Sequence, residues 1–129
     1  MKEEQRHDHE HGYILIRNGI MECYTHPTGE VDLQQAQASS RERVVFSNSI
    51  SYPCLFDITT AKEFSREARD YLANEGNDLV LASAILIDSA VTKMVGNFFI
   101  AVNKPKNPTR LFIDKANALE WLEQFKPSA

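Results

Sequence analysis

The sequence is poor in the features that announce covalent or nucleotide chemistry. Two cysteines, Cys23 and Cys54, form no CxxC pair. This removes the usual signature of redox or structural-zinc sites, and because each cysteine lies in an apolar, strand-like segment, two buried free thiols are a better reading than a disulfide. The five glycines build neither a phosphate-cradling loop nor a dinucleotide fingerprint, and no zincin helix or G-x-S-x-G elbow occurs. No stretch reaches the roughly 20 apolar residues that cross a membrane. Positive charge is also short: 14 Lys and Arg stand against 18 Asp and Glu, a formal charge of -4. Nothing in that balance argues for a nucleic-acid or anionic-membrane partner. The opening MKEEQRHDHE has no apolar region after its charges, so no signal peptide is read there and a cytoplasmic location is expected.

What remains is an ordinary globular composition, 43% hydrophobic and 25% charged over 129 residues. That length suits one domain able to bury a core without metal or disulfide. The expected division is a flexible polar tail over residues 1–10 and a single domain over 11–126.

GYILIR and IMECY flank Asn18-Gly19, the strongest short-range hairpin signal. Pairing Arg17 with Ile20 sets Ile16 opposite Met21 and Ile14 opposite Cys23, which makes one face of the hairpin almost wholly apolar. THPTGE reads as a turn-rich connection to Asp32, the N-cap of a weakly amphipathic helix with Leu33, Ala36 and Ser40 inward. YPCLFDI is a strand. After a connector, SREARDYLANEG is a helix capped by Ser65, with Ala68, Tyr71 and Leu72 on one face and Gly76 as its stop. LVLASAILI, residues 79–87, is too continuously apolar for a solvent-facing strand and reads as an interior parallel strand covered by helices on both sides. SAVTKMVGNFFIAV places Val91, Met94, Val95, Phe98 and Val102 at helical spacing. NKPKNP is a loop, TRLFI a strand, and Asp114 caps a last helix with Ala118, Trp121, Leu122 and Phe125 inward. The fold class is α/β: a mixed, mostly parallel five-stranded sheet with an N-terminal antiparallel hairpin and four helices.

This order of elements, with the segments PCLFDI, SREARDYLA, NFFIAVNKP and PTRLFIDKANALEWL, resembles the SpoIIAA-like or STAS superfamily. It is most similar to an uncharacterised bacterial STAS-like family. The resemblance spans roughly residues 12–126 and implies a SpoIIAA-like fold. The founding members are anti-sigma-factor antagonists that carry a phosphorylatable serine at the start of the helix after a central strand. By that resemblance the nearest position is Ser65, with Thr59 and Thr60 as neighbours. Phe64-Ser65-Arg66-Glu67 departs from the antagonists' Asp-Ser-Ser-Gly-like motif: it has one serine, no glycine and flanking charges.

On physical grounds Asp57 ends a parallel strand, where open α/β sheets place ligand crevices. It is also a carboxylate that needs a donor or water. Ser65 serves either as a plain helix cap or as a modification site, where Arg66 and Arg69 could pair with phosphate. Thr59 and Thr60 read as turn residues. Lys104, Lys106 and Arg110 form the densest basic patch, either a solvated loop or an anion-binding or interface surface. Phe99 either completes the core or joins an apolar patch. His7, His9 and His11 alternate with acids in HDHEH; a solvated tail is the simpler reading, metal binding the sharper one.

The expected function is a non-catalytic regulatory or interaction module with no cofactor, binding a protein partner or itself as a homodimer. Its expected surface lies around Asp57, Thr59, Thr60, Ser65, Arg66 and Arg69. A small-ligand or lipid-binding module is the alternative, recognisable by an enclosed apolar pocket between helices and sheet. A metal-dependent enzyme using the histidines is a third.

Overall fold

The computed structural model describes residues 4–88, 93, 97 and 99–127. A mixed sheet of six strands forms the centre: β1 (Gln5–His9), β2 (Gly12–Arg17), β3 (Ile20–Thr25), β5 (Tyr52–Asp57), β7 (Val80–Leu86) and β8 (Thr109–Phe112), in the spatial order 1-2-3-5-7-8. β1 with β2 and β2 with β3 pair antiparallel, and every pairing of this sheet from β3 onward is parallel. Two short strands, β4 (Thr28–Val31) and β6 (Ala61–Phe64), make a separate parallel pair. Three helices are α1 (Leu33–Ser47), α2 (Arg66–Ala73) and α3 (Lys115–Glu123). A fourth helical segment lies between β7 and β8, where Lys93 and Asn97 are helical and a π-helical turn covers Phe99–Asn103. Of the stripe expected there, Val91, Met94, Val95 and Phe98 lie outside the described residues, and Val102 is exposed.

The hairpin register is the one that Asn18-Gly19 dictates. Both residues adopt positive φ, 55° and 76°, which a two-residue turn matched to the strand twist requires. Arg17 pairs with Ile20, Ile16 with Met21 and Ile14 with Cys23. β7 lies between β5 and β8 with both neighbours parallel, and it is buried over nearly its whole length. Its small residues Ala82 and Ala84 let α3 sit close, so that Ala118 and Leu122 are fully buried against Ile20, Leu55 and Leu86. Each helix starts where a side chain can accept from an unpaired backbone N–H. Asp32 accepts from Gln35 N at 2.8 Å, Ser65 from Ala68 N at 3.1 Å and Asp114 from Ala116 N at 2.8 Å.

Two local departures have clear physical reasons. Gln5–His9, expected within a flexible tail, form the edge strand β1, paired with β2 from Gln5↔Ile16 to His9↔Gly12. Its polar side chains suit an edge, and His7 ties it to α1 through a 2.6 Å contact between Nε2 and Glu42 Oε1. This strand raises the main sheet from the expected five strands to six. The second departure is the pair β4 and β6, which occupies the stretches read as turn and connector. Such short strands with charged exposed positions carry no alternation long enough to read. Their pairing still buries Val31 and Ala61 with Ala36 and Ala68.

Candidate functional site: a cavity between the sheet and two helices

The pleat sorts the sheet into two faces. On one face the register aligns Ile16, Met21, Cys54 and Ser83 in one row and Ile14, Cys23, Phe56 and Ile85 in the next. α1 and α2 lie over this face, and between them and the sheet is a cavity of about 150 Å³. Ile14, Cys23, Phe56 and Ile85 line it from the sheet; Val31, Phe64 and Leu72 line its side; Phe99 also contributes. Phe99 therefore faces the cavity.

The void follows from the inner stripe of α1. Its buried residues are Ala36, Ser40, Arg43 and Ser47, at the i, i+4, i+7, i+11 spacing of a core-facing stripe, but three are small and one is charged. Where Leu or Ile would fill the space over Phe56 and Ile85, Ala36 and Ser40 leave it open. Native interiors hold few voids larger than a water molecule, so a cavity of this size has a sequence cause.

Arg43 is the unusual member of the stripe. It is 3% exposed and it lines the cavity. Its Nη2 donates to the carbonyl of Gly76 at 2.9 Å, whereas Nη1 is buried with no hydrogen-bond partner. Among the described residues no carboxylate forms an ion pair with it. Its charge reaches both thiols. Burial pushes Cys54 up to about 12 and Cys23 well above the usual thiol value, with Arg43 partly opposing both shifts. Both cysteines are free thiols and stay protonated at neutral pH, so neither is an activated nucleophile.

At one margin of the cavity are His9 and His11. His9 Nδ1 accepts from the His11 backbone N–H at 3.2 Å, and burial lowers the His9 pKa, which favours its neutral form. His7 stacks on Phe46 of α1, ring centroids 5.4 Å apart. Among the described residues no group of three or more His, Cys, Asp or Glu is placed to hold a metal.

The residues singled out around the β5 exit serve distinct local roles. Asp57 Oδ1 accepts from the Thr59 N–H at 2.9 Å and the Thr59 hydroxyl at 2.6 Å, a local turn that supplies the donors its carboxylate needs. Thr60 donates its hydroxyl to the Thr25 carbonyl at 2.5 Å. Strand β6 then intervenes before Ser65. Arg66 lies 4.0 Å from Asp70 on an exposed face, and Arg69 lines the cavity. Ser65 borders a second, shallow groove with Asp32 and Glu67. Lys104, Lys106 and Arg110 are exposed and none of them lines the cavity. The Arg110 guanidinium lies over the Phe112 ring, 5.2 Å from its centroid.

A second polar cluster, absent from the sequence reading, occupies the other sheet face. Glu22, 2% exposed, accepts from Arg17 Nε at 2.8 Å, Arg17 Nη2 at 3.1 Å and Tyr24 Oη at 2.5 Å. Lys115 Nζ of α3 completes the set at 3.2 Å. A lone glutamate inside IMECY, opposite a leucine, is the signal that could have revealed it.

The architecture is similar to the crystal structure of an uncharacterized protein from the DUF3478 family with a SpoIIAA-like fold, from Shewanella loihica PV-4. The two share 16% sequence identity, with 93% of this chain and 92% of that chain covered and a TM-score of 0.56. At that identity the likeness establishes the fold. No curated protein matches the chain. Residues 14–126 match the family model described as Domain of unknown function (DUF7793), a span that contains α1 with Arg43 and most of the cavity lining, and the chain therefore belongs to the DUF7793 family.

Proposed function

We propose that this chain is a non-catalytic binding module whose site is the cavity beneath α1 and α2, and that its occupant is a small, largely apolar molecule. The observation that carries this reading is the cavity itself: about 150 Å³, set between helices and sheet and opened by the small side chains Ala36 and Ser40 on a stripe that should be core. Ligand sites in α/β folds are concave, mostly apolar and supplied with a few polar groups. The protonated thiols, and the lack of an organised nucleophile and base among the described residues, support binding over catalysis.

The test is calorimetric titration with toluene, a neutral single-ring probe, against the full chain and a Ser40→Leu variant that fills the space. The expected result is saturable binding to the native chain, lost in a variant whose circular dichroism is unchanged. Equal toluene binding by both would place the probe elsewhere and contradict the proposal.

A partner-docking surface around Asp57, Thr59, Thr60, Ser65 and Arg66 is the second reading, favoured by the groove that joins the starts of α1 and α2. As a phosphorylation switch it is weaker. The Ser65 hydroxyl already caps α2, and Asp32 and Glu67 in the same groove would repel an added phosphate.

A further inference from the structure

We infer that the cavity's occupant is an organic anion, a small monocarboxylate with an apolar body, whose acid group pairs with Arg43; the inference rests on the cavity reading above and narrows it. A guanidinium cannot shed its proton in a protein, so Arg43 carries its charge wherever it is placed. Buried charges are otherwise paired or fully hydrogen-bonded, because removing an ion from water costs several kcal/mol. Arg43 has one carbonyl acceptor, on Nη2, and its buried Nη1 has none. Arginine's planar fork matches a carboxylate, and the side chain that lacks this partner borders the cavity. An acid entering the cavity would therefore complete the hydrogen bonding of Arg43 while its apolar body rests on Phe56 and Ile85.

Besides Arg43 the lining holds one further guanidinium and one carboxylate. Arg69 adds a second cation to the lining. The lining carboxylate, Asp57, is engaged by the N–H and hydroxyl of Thr59. The volume sets the scale of the apolar body, since a cavity of about 150 Å³ is known to hold one benzene ring.

The experiment is calorimetric titration of the full chain with benzoate, benzamide and acetate. Benzamide keeps the ring and an oxygen acceptor but carries no charge; acetate keeps the charge without the ring. Benzoate is expected to bind about 10- to 100-fold more tightly than benzamide, the range for a hydrogen bond to a charged group, and acetate to show no saturation. Arg43→Met should abolish the preference, leaving benzoate no tighter than benzamide. Arg43→Lys, which keeps the charge, should retain part of the preference and covers the case of a methionine variant that fails to fold. Equal affinity for benzoate and benzamide in the native chain would overturn the anion assignment while leaving the cavity reading intact. If neither benzoate nor benzamide binds and toluene does not either, both fail. Saturable acetate binding as tight as benzoate would show a simple anion site and would also overturn the inference.

Discussion

Replacing Glu22 by glutamine should cost about 2 kcal/mol at neutral pH, and the cost should fade in acid. Glu22 is 2% exposed, and its carboxylate gathers Arg17 and Tyr24 of the hairpin together with Lys115 of α3. Burial alone would raise its pKa; the hydrogen bonds from Arg17 and Tyr24 and the charge of Lys115 outweigh burial and hold it below the usual value. Breaking a fully buried ion pair costs about 3–5 kcal/mol. Here Arg17 and Lys115 are 37% and 41% exposed, so each can turn to water when the carboxylate is lost. The lower figure, close to that of one or two charge-assisted hydrogen bonds, applies. Because the folded pKa lies below the unfolded one, the stabilisation is complete above the unfolded value of about 4.3. It is lost as pH falls through the folded value. Urea unfolding of both proteins, followed by circular dichroism at several pH values from 7 down to 3, measures this. The curves should differ by about 2 kcal/mol at pH 7 and converge on acidification. A constant difference at every pH, or none at pH 7, would refute the electrostatic account of this cluster.

Three further outcomes follow from local geometry. A Cβ added at Gly12 would lie 1.9 Å from the Tyr24 carbonyl oxygen, within the β2–β3 ladder; Gly12→Ala should lower stability by about 3 kcal/mol or more in thermal unfolding, as backbone displacement in a packed sheet does. Ser65→Ala should cost about 1 kcal/mol through the lost cap, while Ser65→Asp, also a good cap, should stay within a few tenths of the native chain; equal losses in both would deny the capping role. Deleting residues 1–10 removes β1 and leaves the β2 edge of Ile14, Leu15 and Ile16 unpaired, so light scattering should show concentration-dependent self-association. A monodisperse, equally stable truncation would mean that β1 contributes nothing to the sheet.

Where one local rule dominates, the fold is readable from the letters. Asn18-Gly19 sets the hairpin register because only a turn with two positive φ angles fits. Residues 79–87 read as an interior strand because a run of that apolarity needs cover on both faces. Asp32, Ser65 and Asp114 announce helix starts through their short acceptor side chains. The edge strand Gln5–His9 stays hidden because QRHDH has no apolar alternation, and its place depends on β2 and on Glu42 far along the chain. The cavity is hidden for a different reason: it consists of volume that side chains fail to fill. Ala36 and Ser40 read as a weak helix face, although Arg43 and Ser47 extend the same stripe, and an arginine on an inner stripe was the available clue. Asp57 was legible in position but not in its bonding, for it lines the cavity from the end of β5. A carboxylate at a strand end invites a site, yet its needs are met two residues away by Thr59.

The cavity claim is tested most directly by diffraction from crystals soaked in bromobenzene, whose bromine gives an anomalous signal at a defined position. The account predicts one peak between Phe56, Ile85 and Arg43, beneath α1, and no such peak in crystals of the Ser40→Leu variant. Bromine sites confined to the outer surface, or a cavity left empty at saturating bromobenzene, would contradict it.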